Sequence, residues 1–129
     1  IPLQKTDFEL GPLEFSAGSQ QLTEGRDLKI SDDSERELQK RLTLRDFKQV
    51  VEPFDVGEVS FHSGWVFHRA GPNKTDSMRK VMPVIYMDKD MRLKEPANEN
   101  QVNDWNTWCP GAKVGDVIDS PLNPVLYSR

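Results

Sequence analysis

The stretch that decides the fold is GEVSFHSGWVFHRAGPNKTDSMR, residues 57–79. It contains two short runs rich in apolar residues, 57–62 and 65–68, and another run follows at 80–87. Glycine, proline and asparagine lie between these runs, as expected for strands joined by turns. Short strands at regular spacing are typical of a β-sandwich or barrel. The stretch therefore predicts a mainly β fold.

The residues before this stretch predict further strands and one helix. Runs typical of strands, bounded by turn residues, lie at 11–18 and 50–54. Between them, Ser31 can cap a helix that has an acidic first turn and a basic last turn. We therefore expect a helical insertion around residues 31–49, with its charged side chains on a solvated face.

The residues after Asp88 predict an irregular tail. This part of the chain is polar and rich in proline, asparagine and aspartate. Trp105 and Trp108 are its isolated large apolar residues, and tryptophan is seldom left exposed without a reason. We expect these two side chains to anchor the tail to the body of the protein.

Composition limits the class of protein. The chain has 129 residues, 36% of them hydrophobic and 29% charged, which predicts a single domain over residues 1–129. No apolar run is long enough to cross a bilayer, and a net charge of -4 with scattered basic residues argues against nucleic-acid binding. Cys109 is the only cysteine, which rules out an internal disulfide and favours a reducing, cytoplasmic setting.

The chain has two histidines, His62 and His68, and both lie at the ends of predicted strands. Strand ends at the rim of a sheet often present ligands. A spacing of six residues across a glycine matches neither a zincin helix nor a zinc finger, so the spacing alone is a weak metal signal. Hydrogen-bonded structural histidines remain the alternative at both positions.

The stretch 57–79 resembles the C-terminal motif of the phytanoyl-CoA dioxygenase family, in which a strand delivers a histidine followed by a Gly-Pro-Asn turn, a Ser or Thr, and an arginine. Residues 11–19, 80–86 and 108–127 extend the resemblance. It implies a double-stranded β-helix, the cupin-like jelly roll. It also implies hydroxylation of a small-molecule substrate with iron(II) and 2-oxoglutarate as cofactors.

The resemblance assigns two residues to the site. His68 is similar to the distal histidine of the iron-binding facial triad. Arg79 is similar to the arginine that binds the far carboxylate of 2-oxoglutarate through paired hydrogen bonds, and a surface arginine is the alternative. His62 is expected to be a structural neighbour, and Asn73 and Thr75 to hold the turn. No further catalytic residue is predicted.

One part of the family pattern is missing. The other two iron ligands in the family are a His-x-Asp pair, and no His-x-Asp occurs in this sequence. Because the chain opens on Ile1, without a methionine, we expect an N-terminally truncated jelly roll that lacks its first strands and retains about the last five. Such a chain is expected to hold no tightly bound iron and to be inactive alone.

Two further expectations concern partners and function. Loss of the first strands leaves an open sheet edge and uncovered apolar side chains, which predicts a homo-oligomer, most simply a dimer. The alternative to an oxygenase is a non-catalytic β-sandwich module that binds a small molecule or another chain. The substrate, and the choice between a hydroxylase and a halogenase, stay open.

Overall fold

The computed structural model describes residues 1–26, 28 and 31–128. The elements, in chain order, are strand β1 (Leu13–Ser16), a 3-10 turn (Ser19–Gln21), helix α1 (Asp32–Leu44), strand β2 (Gln49–Val51), strand β3 (His68–Ala70) and helix α2 (Glu99–Trp108). The described part of the chain is therefore a mixed fold with a small amount of strand.

The three strands form one antiparallel sheet in the order β2-β1-β3. In the central strand, Phe15 pairs with Val50 on one side and with His68 on the other. Glu14 pairs with Arg69 in the same ladder, and their side chains form an ion pair at 3.0 Å. This register places His68 at the first position of β3, directly beside Phe15.

Isolated bridges extend the sheet region beyond the strands. Pro2 bridges to Val81 and Thr6 to Phe54, both in antiparallel fashion. The amide of Leu3 donates to the carbonyl of Lys80 at 3.0 Å. Residues 80–82 are therefore joined to the beginning of the chain by a few main-chain bonds and not by a full ladder.

Helix α1 begins as its sequence predicts. The Ser31 hydroxyl accepts a hydrogen bond from the amide of Ser34 at 3.2 Å, as an N-cap does. Arg41 pairs with Glu37 one turn earlier at 3.0 Å, a surface contact that adds a few tenths of a kcal/mol at most. Leu42 is only 2% exposed and anchors the helix to the core.

The chain divides into two compact units, Ile1–Arg26 with Glu35–Val84, and Asp27–Ser34 with Ile85–Arg129. The first contains the sheet, and the second contains α2. Inside the second unit, Arg92 bridges to Val117, and the indole N–H of Trp105 donates to the carbonyl of Ala112 at 2.9 Å. The single domain expected over residues 1–129 stays a prediction.

Several predicted elements differ from the structure. Strand β1 lies within the predicted run 11–18, but β2 and β3 only partly overlap their predicted runs. In the described chain, no named strand falls in 57–62 or 80–87. Gly57, at φ +92°, begins the first run in a turn conformation, and Pro83 has no amide to donate to a ladder in the second. The described residues form an antiparallel sheet of three strands and not the expected five.

The tail after Asp88 was predicted to be irregular, and that prediction was wrong at α2. The Asn98 side chain accepts from the amide of Gln101 at 3.0 Å. The Gln101 side chain accepts in return from the amide of Ala97 at 2.7 Å. This reciprocal arrangement is close to a capping box, a helix-start signal that is visible in the sequence.

Few apolar side chains are buried. Leu10, Leu42, Val66 and Ala112 are buried, whereas large apolar residues such as Phe61 (86% exposed) and Ile85 (90% exposed) face solvent. None of the described helices is both long and apolar enough to pass through a bilayer.

Candidate metal and oxoacid site

His68 is oriented by a hydrogen bond to its own main chain. Its Nδ1 lies 3.0 Å from the carbonyl oxygen of Val66. Because a carbonyl only accepts, Nδ1 must carry the proton, and the lone pair of the neutral ring lies on Nε2. Histidines that bind metals are usually held in this way, with the other ring nitrogen donating to a carbonyl or carboxylate. The residue is exposed, and Nε2 makes no hydrogen bond to the described residues.

His62 lies against His68. The centroids of the two rings are 4.8 Å apart, and Phe15 contacts them at 4.9 Å and 6.0 Å respectively. Partial desolvation lowers the pKa of His62, and the positive charges of His68 and of the amino terminus lower it further. His62 is therefore mainly neutral at neutral pH, the form in which an imidazole can accept a hydrogen bond or bind a metal.

Arg79 points to the end of β3 and not into bulk solvent. Its Nη1 donates to the carbonyls of Leu10 (3.4 Å), Gly11 and Gly71 (3.2 Å). Gly71 follows β3 directly, whereas His68 is the first residue of β3, so the guanidinium lies at the other end of this three-residue strand. Through these hydrogen bonds, Arg79 links the main chain at residues 10–11 (the 10–11 turn) to the end of β3 at Gly71.

A comparison with protein families identifies the family of the chain. The family model described as Phytanoyl-CoA dioxygenase (PhyH) matches residues 1–81, well over half of the chain. The chain belongs to the phytanoyl-CoA dioxygenase family. The match includes the whole sheet, His68 and Arg79, and it confirms the resemblance drawn from the sequence. No curated protein and no solved structure matches the chain.

Phytanoyl-CoA dioxygenases generally depend on iron(II) and 2-oxoglutarate, and the donor set can be tested against that requirement. A facial triad needs two histidines and one carboxylate around a single ion. Among the described residues, no three His, Cys, Asp or Glu side chains are grouped so that they could hold a metal ion. These residues therefore do not form a complete family iron site.

The turn between His68 and Arg79 is fixed by its own side chains, as predicted. The Asn73 Oδ1 accepts from the amide of Thr75 at 2.9 Å and from the Thr75 hydroxyl at 2.8 Å. The Asn73 amide group donates to the carbonyl of Ser77 at 2.7 Å. Pairing within the turn holds the chain reversal that precedes Arg79.

The sequence analysis missed Arg26, which packs against the segment that precedes His68. Its guanidinium lies 4.0 Å from the ring centroid of Phe67 and 5.2 Å from that of Trp65, and it donates to the Trp65 carbonyl. The buried Ser19 hydroxyl accepts from the amide of Phe67 at 2.8 Å. Both contacts hold the segment that leads into His68. No sequence signal for them exists, because the partners are distant along the chain.

Proposed function

We propose that the chain contributes the distal half of the active site of an iron(II)/2-oxoglutarate-dependent hydroxylase of the phytanoyl-CoA dioxygenase type. In this proposal, His68 is an iron ligand and Arg79 binds the far carboxylate of 2-oxoglutarate. The proposed scaffold is the family jelly roll, of which the three-stranded antiparallel sheet is a part. The substrate is a small organic molecule.

The observation that carries the proposal is the hydrogen bond between His68 Nδ1 and the Val66 carbonyl at 3.0 Å, within the part of the chain that the family model matches. It leaves Nε2 unprotonated in the neutral ring and without a hydrogen bond to the described residues. A structural histidine would be expected to use both nitrogens inside the protein. His68 instead has one nitrogen fixed and the other available.

The hydrogen bonds of Arg79 are compatible with binding an oxoacid. All three main-chain bonds use Nη1. The other edge of the guanidinium, Nε and Nη2, makes no hydrogen bond to the described residues. Two parallel N–H groups on one edge match the two oxygens of a carboxylate. The main-chain bonds would hold that edge in place before the anion arrives.

Iron(II), when bound, supplies the oxygen-activating chemistry, and decarboxylation of 2-oxoglutarate to succinate accompanies it. The chain's own contribution is one oriented imidazole and one guanidinium. Turnover further requires a His-x-Asp pair, which is absent from these 129 residues. We therefore propose that the chain alone binds iron weakly and forms succinate only at background rate.

The experiment that tests the proposal measures binding of 2-oxoglutarate to the chain by calorimetry without metal. Arg79→Lys keeps a positive charge but loses the planar fork, so affinity should fall by about tenfold, or about 1.4 kcal/mol. Arg45→Lys is the matched control, because Arg45 is an exposed arginine paired with Glu24. Equal affinity in the Arg79→Lys protein and the unchanged chain would remove Arg79 from the site.

A second test uses a longer product of the source gene, if that gene encodes a His-x-Asp segment. We expect the longer protein to produce succinate and its His68→Ala variant to have no activity. Succinate formation at an undiminished rate in the variant would show that His68 is not the ligand.

A second candidate function is a non-catalytic module that binds a small molecule or a protein. It is favoured by the absence of a three-ligand metal group in the described structure and by the structural use of Arg79 Nη1. The two candidates differ in one result. A module that has lost catalysis forms no succinate even when a His-x-Asp segment is present.

A further inference from the structure

The histidine pair suggests a property of this chain that the family pattern does not include. The family takes one iron ligand from this region, at the position of His68. The structure puts a second imidazole, that of His62, at a ring-centroid distance of 4.8 Å from the first, with the ring planes 59° apart. Both rings are exposed.

We propose that His62 and His68 together form a two-imidazole site for a borderline divalent transition ion such as Zn²⁺. The proposal extends the proposed function, because it relies on His68 as a metal ligand and adds His62 as a ligand of the same ion. Imidazole is a preferred ligand of zinc, copper and nickel.

The distance between the rings fits shared coordination. With metal–nitrogen bonds of roughly 2.0–2.1 Å, two imidazoles on one ion have ring centroids about 4.5–5.2 Å apart. The observed 4.8 Å lies inside this range. Aromatic pairs that bind nothing also occur at about 4.5–7 Å, so the distance has to be combined with the state of the ring nitrogens.

The ring nitrogens favour a ligand site. His68 donates from Nδ1 to the Val66 carbonyl, as metal-bound histidines do, and keeps Nε2 for an ion. The ring of His62 makes ring contacts but no hydrogen bond to the described residues, so that part of the chain leaves its nitrogens available. Phe15, on the central strand, contacts both rings and limits their movement. Two restrained imidazoles lose less freedom when they bind one ion together.

The decisive experiment is a Zn²⁺ titration of the chain, with the histidine ring nitrogens followed by NMR. The chain has two histidines, so each ring gives its own signals. We expect both rings to shift along one curve that saturates at one zinc per chain. Mg²⁺ should shift neither ring, because it prefers oxygen ligands. A response from one ring alone, or from neither, overturns the proposal.

Variants test the contribution of each ring. His62→Gln and His68→Gln should each weaken zinc binding about tenfold or more, because the second imidazole no longer binds intramolecularly. Both side chains are exposed, so neither change should disturb the fold. Glu52→Gln, which alters an exposed carboxylate, is the control and should leave zinc affinity unchanged. Unchanged affinity in His62→Gln overturns the proposal.

Two further measurements, sedimentation and metal-free binding of 2-oxoglutarate, separate this proposal from its alternatives. If zinc increases the mass in sedimentation, the ion joins rings of different chains and the proposed site within one chain is wrong. Binding of 2-oxoglutarate is measured without metal and depends on Arg79, so it can fail while the zinc result holds. Failure of this inference with intact 2-oxoglutarate binding would leave the proposed function in place, with His62 as a neighbour only.

Discussion

At the scale of single residues, the space around Arg79 is set by Gly11. This glycine has φ +76°, a conformation that side chains with a Cβ rarely adopt. A Cβ built at Gly11 would lie 2.4 Å from the carbonyl oxygen of Gly71, which is an acceptor for Arg79 Nη1. The 10–11 turn can therefore approach the end of β3 only because residue 11 has no side chain.

Gly11→Ala should lower the free energy of unfolding by about 2–4 kcal/mol, from the backbone strain and the main-chain clash together. Gly57→Ala is the matched control, because Gly57 also has positive φ but a Cβ there meets nothing within 4 Å. In the Gly57→Ala control, the free energy of unfolding should fall by only about 1–2 kcal/mol. Urea titration of both variants measures the difference, and equal losses would show that the contact with Gly71 is unimportant.

Cys109 provides a pH-dependent test at the same scale. Burial raises the pKa of its thiol, and the negative charge of Asp104 raises it further. Because the thiolate is the reactive form, alkylation by iodoacetamide at pH 7 should be slower than for a model peptide and should increase as pH rises above the ordinary thiol pKa. Asp104→Asn should increase the rate only slightly, since burial is the larger cause. A rate equal to that of the peptide would contradict the shift.

At the scale of elements, the two helices show how local signals determine where an element begins. Ser31 caps α1 and Asn98 caps α2, each through a hydrogen bond to an amide three residues later. The amino end of α1 therefore depends on the Ser31 side chain, and that of α2 on the side chains of Asn98 and Gln101. The strands lack such local determinants, and two of them have only three residues.

Asn98→Ala should destabilise α2 by about 1 kcal/mol, because the amide of Gln101 loses its acceptor. Asn103→Ala, at an exposed position within the same helix, should be neutral or slightly stabilising, since alanine is the better helix former. Thermal unfolding followed by circular dichroism compares the two. If the melting temperature falls equally in both variants, the Asn98 cap is not formed in solution.

At the scale of the whole molecule, the homo-oligomer expected from the sequence stays a prediction. Residues 81–87 carry several exposed apolar side chains and few ladder bonds. Exposed edges and apolar surface of this kind favour pairing with a second copy of the chain. The expected assembly is a two-fold dimer.

Ile85→Lys should weaken self-association by about tenfold or more, because burial of an isoleucine side chain contributes about 1.5–3 kcal/mol. Leu44→Lys is the control, since Leu44 is 86% exposed at the end of α1, away from residues 81–87 in sequence. Sedimentation at high micromolar concentration measures both. A monomer in the unchanged protein would contradict the expected dimer.

The sequence by itself determined the family, strand β1, the start of α1 and the turn built on Asn73, because each depends on residues close together along the chain. It also contains the Asn98 signal for the start of α2. The tertiary structure alone decided that His62 contacts His68 beside Phe15, and that Arg79 binds the carbonyls at Leu10, Gly11 and Gly71. Phe15 is far from both histidines in sequence, and Leu10 and Gly11 are far from Arg79. The geometry of these contacts depends on sheet register and on a glycine without a Cβ, which no local pattern specifies.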